Sequence, residues 1–211
     1  MLATLTDKRF SDEKWIFERK LDGRRCLAMR DGEDVSLKSR NKMRLNATYP
    51  EIVSVLEDQR CDQILVDGEI VAFDGAVTSF SRLQSRMQIK DADEVRASRV
   101  AVYYYVFDLL YLDGYKTTKL ALRDRKKLLR RVLSFNDPLR FTAHRNTEGE
   151  AFNKEACRKG WEGIIAKQAD SAYQHKWSKE WLKFKCVSRQ EFVIGGYTDT
   201  HGERASVLGR C

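Results

Sequence analysis

The chain has 211 residues, 42% hydrophobic and 33% charged, with a formal net charge of +8. That length and balance describe a globular body able to bury its own core, and no run approaches the ~20 apolar residues of a membrane span. The opening Met1-Leu2-Ala3-Thr4-Leu5-Thr6 lacks the basic-then-apolar layout of a signal peptide, so a cytoplasmic location without membrane contact is the expectation, with a monomer as the default oligomeric state.

Taken in chain order, the pattern predicts strands at residues 14–20, 24–30 and 34–39. Alternation through Trp15, Ile16 and Phe17 into Asp22-Gly23 is a hairpin signal that puts Lys20 at the lip of a sheet. Lys38, Arg40, Lys42 and Arg44 alternate, which in an extended segment would set four cations on one side, facing a phosphate backbone. A helix is expected from Pro50 to Leu56, with proline in the first turn. A buried strand over Ile64 to Ala72, a short helix over Ser79 to Met87 and an aromatic strand over Val100 to Tyr111 follow. Arg123 to Arg131, flanked by Leu122 and Leu133, reads as an amphipathic helix with a solvated basic face. Thr147 and Glu150 form a capping-box pattern for a helix reaching Lys159. Strands at 162–168, 181–187 and 191–197 end the series. Hairpins interspersed with separated helices indicate an α+β fold, two antiparallel sheets flanked by helices, rather than a doubly wound parallel sheet.

Cys26, Cys61, Cys157, Cys186 and Cys211 are odd in number and form no C-x-x-C pair, so reduced, buried thiols are expected rather than disulfides or a zinc site. His144, His175 and His201 are too dispersed for a metal cluster. The basic balance favours a polyanionic partner without proving one.

The segment Glu18-Arg19-Lys20-Leu21-Asp22-Gly23-Arg24-Arg25 carries the most chemical information. A lysine nucleophile reacts as the neutral amine, which neighbouring cations favour. Taken alone, a basic run beside a turn is as readily an ordinary solvated face. Lys20, Asp22, Gly23 and Arg25 nevertheless resemble the K-x-D-G-x-R motif of the covalent nucleotidyltransferases, the superfamily of DNA ligases, RNA ligases and capping enzymes. Five further segments resemble its other motifs in order: Ser39-Arg40-Asn41, Val66-Asp67-Gly68-Glu69, Tyr105 to Leu110, Glu162 to Lys167, and Trp181 to Lys185. The stretches Phe107 to Gly114 and Gln190 to Tyr197 are similar to prokaryotic ATP-dependent DNA ligases, and most to the ligase part of ligase D type end-joining enzymes that work with Ku.

The resemblance implies an ATP-grasp-related fold, with two sheets enclosing a nucleotide groove. It implies that Lys20 attacks the α-phosphorus of ATP to give lysyl-AMP, with Lys183 and Lys185 holding the α-phosphate. Glu18 would receive the adenine amino group, Phe107 would stack on adenine, and Glu69 would accept the ribose hydroxyls, with Asp67 supporting its turn. Lys167 would reach a phosphate while Ile165 floors the nucleotide. Arg25 and Arg40 would engage ribose and the 5′-phosphate of a nick. Glu162 and Asp22 would hold Mg²⁺ or Mn²⁺. Nicked duplex DNA is the implied substrate, with Ku or polymerase modules as candidate partners.

Relatives normally continue into an OB-fold domain. Here residues 1–187 read as the adenylation domain and 188–211 as the start of a truncated OB-fold domain. The ending Ala205-Ser206-Val207-Leu208 replaces the usual Gly-Phe-Gly-Ala-Leu, and a one-base shift relates the two, so a frameshifted or truncated gene is the expectation. The alternatives within this reading are a nucleotide- or nick-binding module without full turnover, an RNA ligase, and a capping guanylyltransferase.

Overall fold

Strands divide between two sheets in the computed structural model, which describes residues 1–89 and 91–186. The chain begins with β1 (Leu2–Leu5), β2 (Trp15–Arg19), β3 (Arg24–Asp31), β4 (Asp34–Ser39), α1 (Pro50–Glu57), β5 (Gln63–Asp74) and β6 (Val77–Thr78). It continues through α2 (Phe80–Gln88), α3 (Ala92–Ala97), β7 (Val102–Leu112), β8 (Tyr115–Lys116) and α4 (Leu122–Val132). The last described elements are β9 (Leu139–Phe141), β10 (His144–Asn146), α5 (Gly149–Arg158), β11 (Gly163–Gln168) and β12 (Trp177–Lys185).

Residues 24–141 supply the whole seven-stranded sheet, in which β4-β3-β5-β7-β8 lie in order, β6 pairs with β5 and β9 with β7. The five-stranded sheet runs β1-β12-β11-β2-β10 and draws on both sides of that insertion. The α+β class is as expected. The pairings are mostly antiparallel, but β1 runs parallel to β12 and β9 parallel to β7, which local alternation cannot encode. The larger core includes Leu37, Ile52, Leu56, Val66, Ile70, Leu83, Tyr104 and Leu129. A second, containing Phe17, Phe152, Ile164, Ala166 and Phe184, lies between the five-stranded sheet and α5. Met1, Phe107, Leu110, Tyr173 and Trp181 form a third where the two sheets meet.

Asp22-Gly23 does not make a hairpin. β2 pairs with β10 and β11, whereas β3 pairs with β4 and β5, so the dipeptide carries the chain from one sheet to the other. Glycine is required at 23 by crowding, since a Cβ would collide with the Ile70 carbonyl and Val71. The basic segment after β4 is a turn rather than an extended run: Lys38 bridges Arg44, and Ser39 N donates to Met43 O at 2.9 Å.

The capping box is not formed. Thr147 takes a positive φ of 62°, and the Glu150 amide is capped by Ser11 Oγ at 3.1 Å, from the far end of the sequence. The basic face of α4 is only partly solvated, because Arg125 and Lys126 are buried. Arg125 spans Asp108 Oδ1 at 2.6 Å and the Ser171 carbonyl at 2.9 Å.

Cys26 and Cys61 are free and buried as expected, but Cys157 and Cys186 form a disulfide. The C-terminal end of α5 and the residue after β12 approach to a Cα separation of 5.3 Å, a tertiary contact that cysteine spacing does not reveal. No helix among the described residues is long and apolar enough to cross a membrane. The strand expected at 191–197, Cys211 and the division at 187/188 lie outside the described residues.

Candidate active site

Two rows of side chains on the five-stranded sheet form one wall of a groove. Register aligns Glu18, Ile165 and Lys183 across β2, β11 and β12, and beside them Ile16, Lys167 and Trp181. Ile164 and Ala166, of opposite parity on β11, go into the core, so Ile165 and Lys167 face the groove as alternation predicts. The opposing wall comes from the seven-stranded sheet, where Arg25 aligns with Glu69. Register between β5 and β7 slips there: Asp67 faces Asp108 and Gly68 faces Val106, leaving Phe107 as the extra residue of a bulge. Such an insertion re-aims a side chain, and Phe107 turns into the groove, edge-to-face with Trp181 at 5.9 Å.

Eight of the eleven residues anticipated for the site line this one cavity: Glu18, Lys20, Arg25, Arg40, Glu69, Phe107, Lys167 and Lys183. The other three lie at its edge. Lys20 Nζ donates to Glu162, and Lys185 Nζ lies 3.5 Å from the same carboxylate. Two backbone bonds fix this corner, Lys20 N to Gly163 O at 2.9 Å and Cys186 N to Glu162 O at 3.0 Å. Gly163 has a φ of 142°, and a Cβ there would strike the Phe184 carbonyl. The nearest charge to Lys20 is therefore a carboxylate, not the arginines that follow it in sequence.

Arg25 faces Asp67, with Nε–Oδ1 and NH2–Oδ2 both at 2.5 Å, and lies 4.6 Å over the Phe107 ring. Asp67 sits inside β5, not at a turn, and also accepts from Tyr173 Oη at 2.6 Å. Burial alone would raise the Asp67 pKa, but the Arg25 guanidinium outweighs it and holds the carboxyl below the ordinary range. Glu69 has no such clamp among the described residues. Its burial, opposed incompletely by Arg25 and Lys20, lifts it to about 7.

Glu18 is buried, with Lys126 Nζ 2.6 Å from Oε1 and Lys167 Nζ 2.5 Å from Oε2. Burial pushes the Glu18 pKa up, but the two ammonium groups prevail and bring it below its usual value. Lys167 is lowered to about 8, chiefly by burial, and rests 4.2 Å over Phe107 and 4.0 Å over Trp181. Sequence reading missed Lys126, whose partner lies 108 residues away. Arg40 and Lys183 flank the exposed Trp177 ring at 5.8 and 5.5 Å.

Asp22 is raised by burial and then by the nearby Glu162, while its amide donates to Thr78 Oγ1 at 3.2 Å. Two oxygen-rich groups that repel each other suit a hard divalent cation. Among the described residues, however, no group of three His, Cys, Asp or Glu could hold a metal on its own. A cation here would complete its shell with waters and phosphate oxygens.

The family described as the ATP dependent DNA ligase domain matches residues 1–185. The multifunctional non-homologous end joining protein LigD of Mycobacterium bovis is 36% identical over 214 residues, which cover 99% of this chain and 26% of that protein. The LigD protein of Pseudomonas aeruginosa is 34% identical over 98% of this chain and 24% of its own length. The chain thus spans about a quarter of the curated relatives it matches. The crystal structure of the ligase domain from M. tuberculosis LigD superposes with a TM-score of 0.70 at 32% identity, covering 87% of this chain and 59% of that one. A mycobacterial DNA ligase D complexed with ATP and MES gives 0.68 at 31% identity, over 87% and 60%.

Proposed function

The chain belongs to the family of ATP-dependent DNA ligase domains, and from that membership we propose that Lys20 becomes adenylylated by ATP and passes AMP to the 5′-phosphate of a nicked duplex for strand sealing in end-joining repair. The observation that carries the reading is the convergence of Lys20, Glu69, Phe107, Lys167 and Lys183, from five separate segments, on one groove. The relative solved with ATP supports the nucleotide assignment.

In the first step the Lys20 amine attacks the α-phosphorus, an N–P bond forms, and pyrophosphate leaves as the P–O bond breaks. The amine attacks in its neutral form, its proton passing to solvent at the open mouth of the groove, and the Glu162 carboxylate beside it orients the side chain. Lys183 and Lys185 offset charge building on the α-phosphate. Phe107 stacks on adenine, Glu18 takes the amino group and Glu69 the ribose hydroxyls. Asp22 and Glu162 would hold Mg²⁺ or Mn²⁺, which when bound supplies Lewis-acid stabilisation of the phosphates. Arg40, exposed at the rim, serves the 5′-phosphate of DNA. Arg25, bound to Asp67, supports Phe107 from above. Phosphate contacts make DNA binding salt-sensitive and indifferent to sequence. Ku and polymerase modules are proposed partners by likeness to the end-joining proteins.

Intact mass after incubation with ATP and Mg²⁺, alongside Lys20→Ala, tests the first step. An AMP-sized gain in the parent that is missing from the variant is expected. A gain of equal size in both would remove Lys20 from the nucleophile's role.

A further inference from the structure

The basic run of α4 has no part in the scheme above, yet one of its lysines reaches the nucleotide groove from behind. Lys126 is 2% exposed. Its Nζ donates to Glu18 Oε1 at 2.6 Å and to the Thr142 carbonyl at 2.9 Å, and lies 4.6 Å over the Phe141 ring. Glu18 and Thr142 both line the cavity, whereas Lys126 does not.

We propose that Lys126 is a positioning residue that fixes the Glu18 carboxylate as the reader of the 6-amino group of adenine. This rests on the reading of Glu18 given above.

Selecting an amino group over a keto oxygen requires an ionised acceptor held at one place. An unpaired carboxylate so deeply buried would take up a proton and present a hydroxyl donor instead. Among the described residues Glu18 has two counter-charges, and they differ. Lys167 Nζ lies close to Oε2 but out of hydrogen-bond alignment, and it lines the cavity where a ligand can draw it away. Lys126 is aligned, anchored by a backbone carbonyl and shielded from ligand. It is therefore the partner that keeps Glu18 ionised and in register once Lys167 turns to the nucleotide. The neighbouring Arg125 performs no such task, since its guanidinium is committed to Asp108. Lys127, one residue on, is exposed and pairs with Asp124.

The test compares dissociation constants for ATP and for purine riboside 5′-triphosphate, which lacks the 6-amino group, in EDTA so that no chemistry intervenes. Parent protein is expected to prefer ATP by about tenfold, the worth of a hydrogen bond to a charged group. Lys126→Met should bring the two constants within about twofold, through weaker ATP binding and little change for the analogue. Lys126→Gln, which keeps a donor for Thr142, should do the same and decides the matter if the methionine variant does not fold. Lys126→Arg should restore most of the preference, and Lys127→Met should leave it intact. Retention of the preference in Lys126→Met and Lys126→Gln, or equal weakening of both nucleotides, overturns the proposal. If Glu18→Met abolishes the preference while the Lys126 variants keep it, the Glu18 reading survives and the Lys126 inference does not. A parent without preference, or a Glu18→Met variant that retains it, sinks both.

Discussion

Lys20 and Glu162 form an ion pair that joins the chain just past β2 to the residue before β11. Both side chains remain partly open to solvent, at 19% and 28%. A bond in that position holds the amine at the mouth of the groove without burying it, so it adds little to the stability of the fold.

Glu162→Gln should accordingly slow lysyl-AMP formation roughly a hundredfold, while an exposed pair of this kind alters stability by less than about 1 kcal/mol. Rates of AMP incorporation by mass and urea unfolding of the same variant separate the two effects. An unchanged rate with lost stability would reverse the assignment.

The opposite pattern is expected where Asp108 meets Arg125, since both side chains are wholly shut from water. Asp108→Asn leaves a buried guanidinium without its counter-charge and should cost about 3–5 kcal/mol. Urea denaturation measures it; a loss below about 1 kcal/mol would mean that water or another acceptor reaches Arg125.

Glu69 gives the folded protein a signature in pH. Its carboxyl is lifted to about 7 from 4.5, chiefly by burial, so between those values the folded state holds a proton that the unfolded chain has released. Stability contributed by this group is therefore full below about pH 4.5 and declines as pH rises towards 7. Thermal unfolding of metal-free protein across that window should show the decline, and Glu69→Gln should flatten it. Identical slopes in both proteins would exclude Glu69 as the source.

The Cys157–Cys186 link spans 29 residues and fastens α5 to the end of β12. Cys157→Ser, or addition of reductant to the parent, should lower stability by about 3 kcal/mol. Reductant should have no further effect on the variant. A reductant effect of equal size in Cys157→Ser would place the sensitive group elsewhere.

Wall-facing residues of the groove were legible where a strand's two-residue period decides direction, as at Ile165 and Lys167 or Lys183 and Lys185. Sheet membership was not, because Asp22-Gly23 carries the local signature of a turn whether the next strand returns or departs. Phe107 owes its direction to a bulge, and its register depends on β5, some forty residues earlier in the chain. Lys126, Arg125, the Ser11 cap and the disulfide share one reason for escaping notice. Each is defined by a partner far away in sequence, and composition along a helix face cannot distinguish a buried charge with such a partner from a solvated one.

The arrangement of the two sheets also sets an order of assembly. All of the seven-stranded sheet lies between residues 24 and 141, so that half can close while the rest of the polypeptide is still being made. The five-stranded sheet must wait for β12, which pairs with β1 from the opposite end of the chain, a contact of long sequence separation and slow closure. Because the groove takes a wall from each, it is complete only once β12 has been made. A nascent chain halted before residue 177 would hold Lys20, Lys167 and the Phe107 wall but lack Trp181 and Lys183 from the facing one.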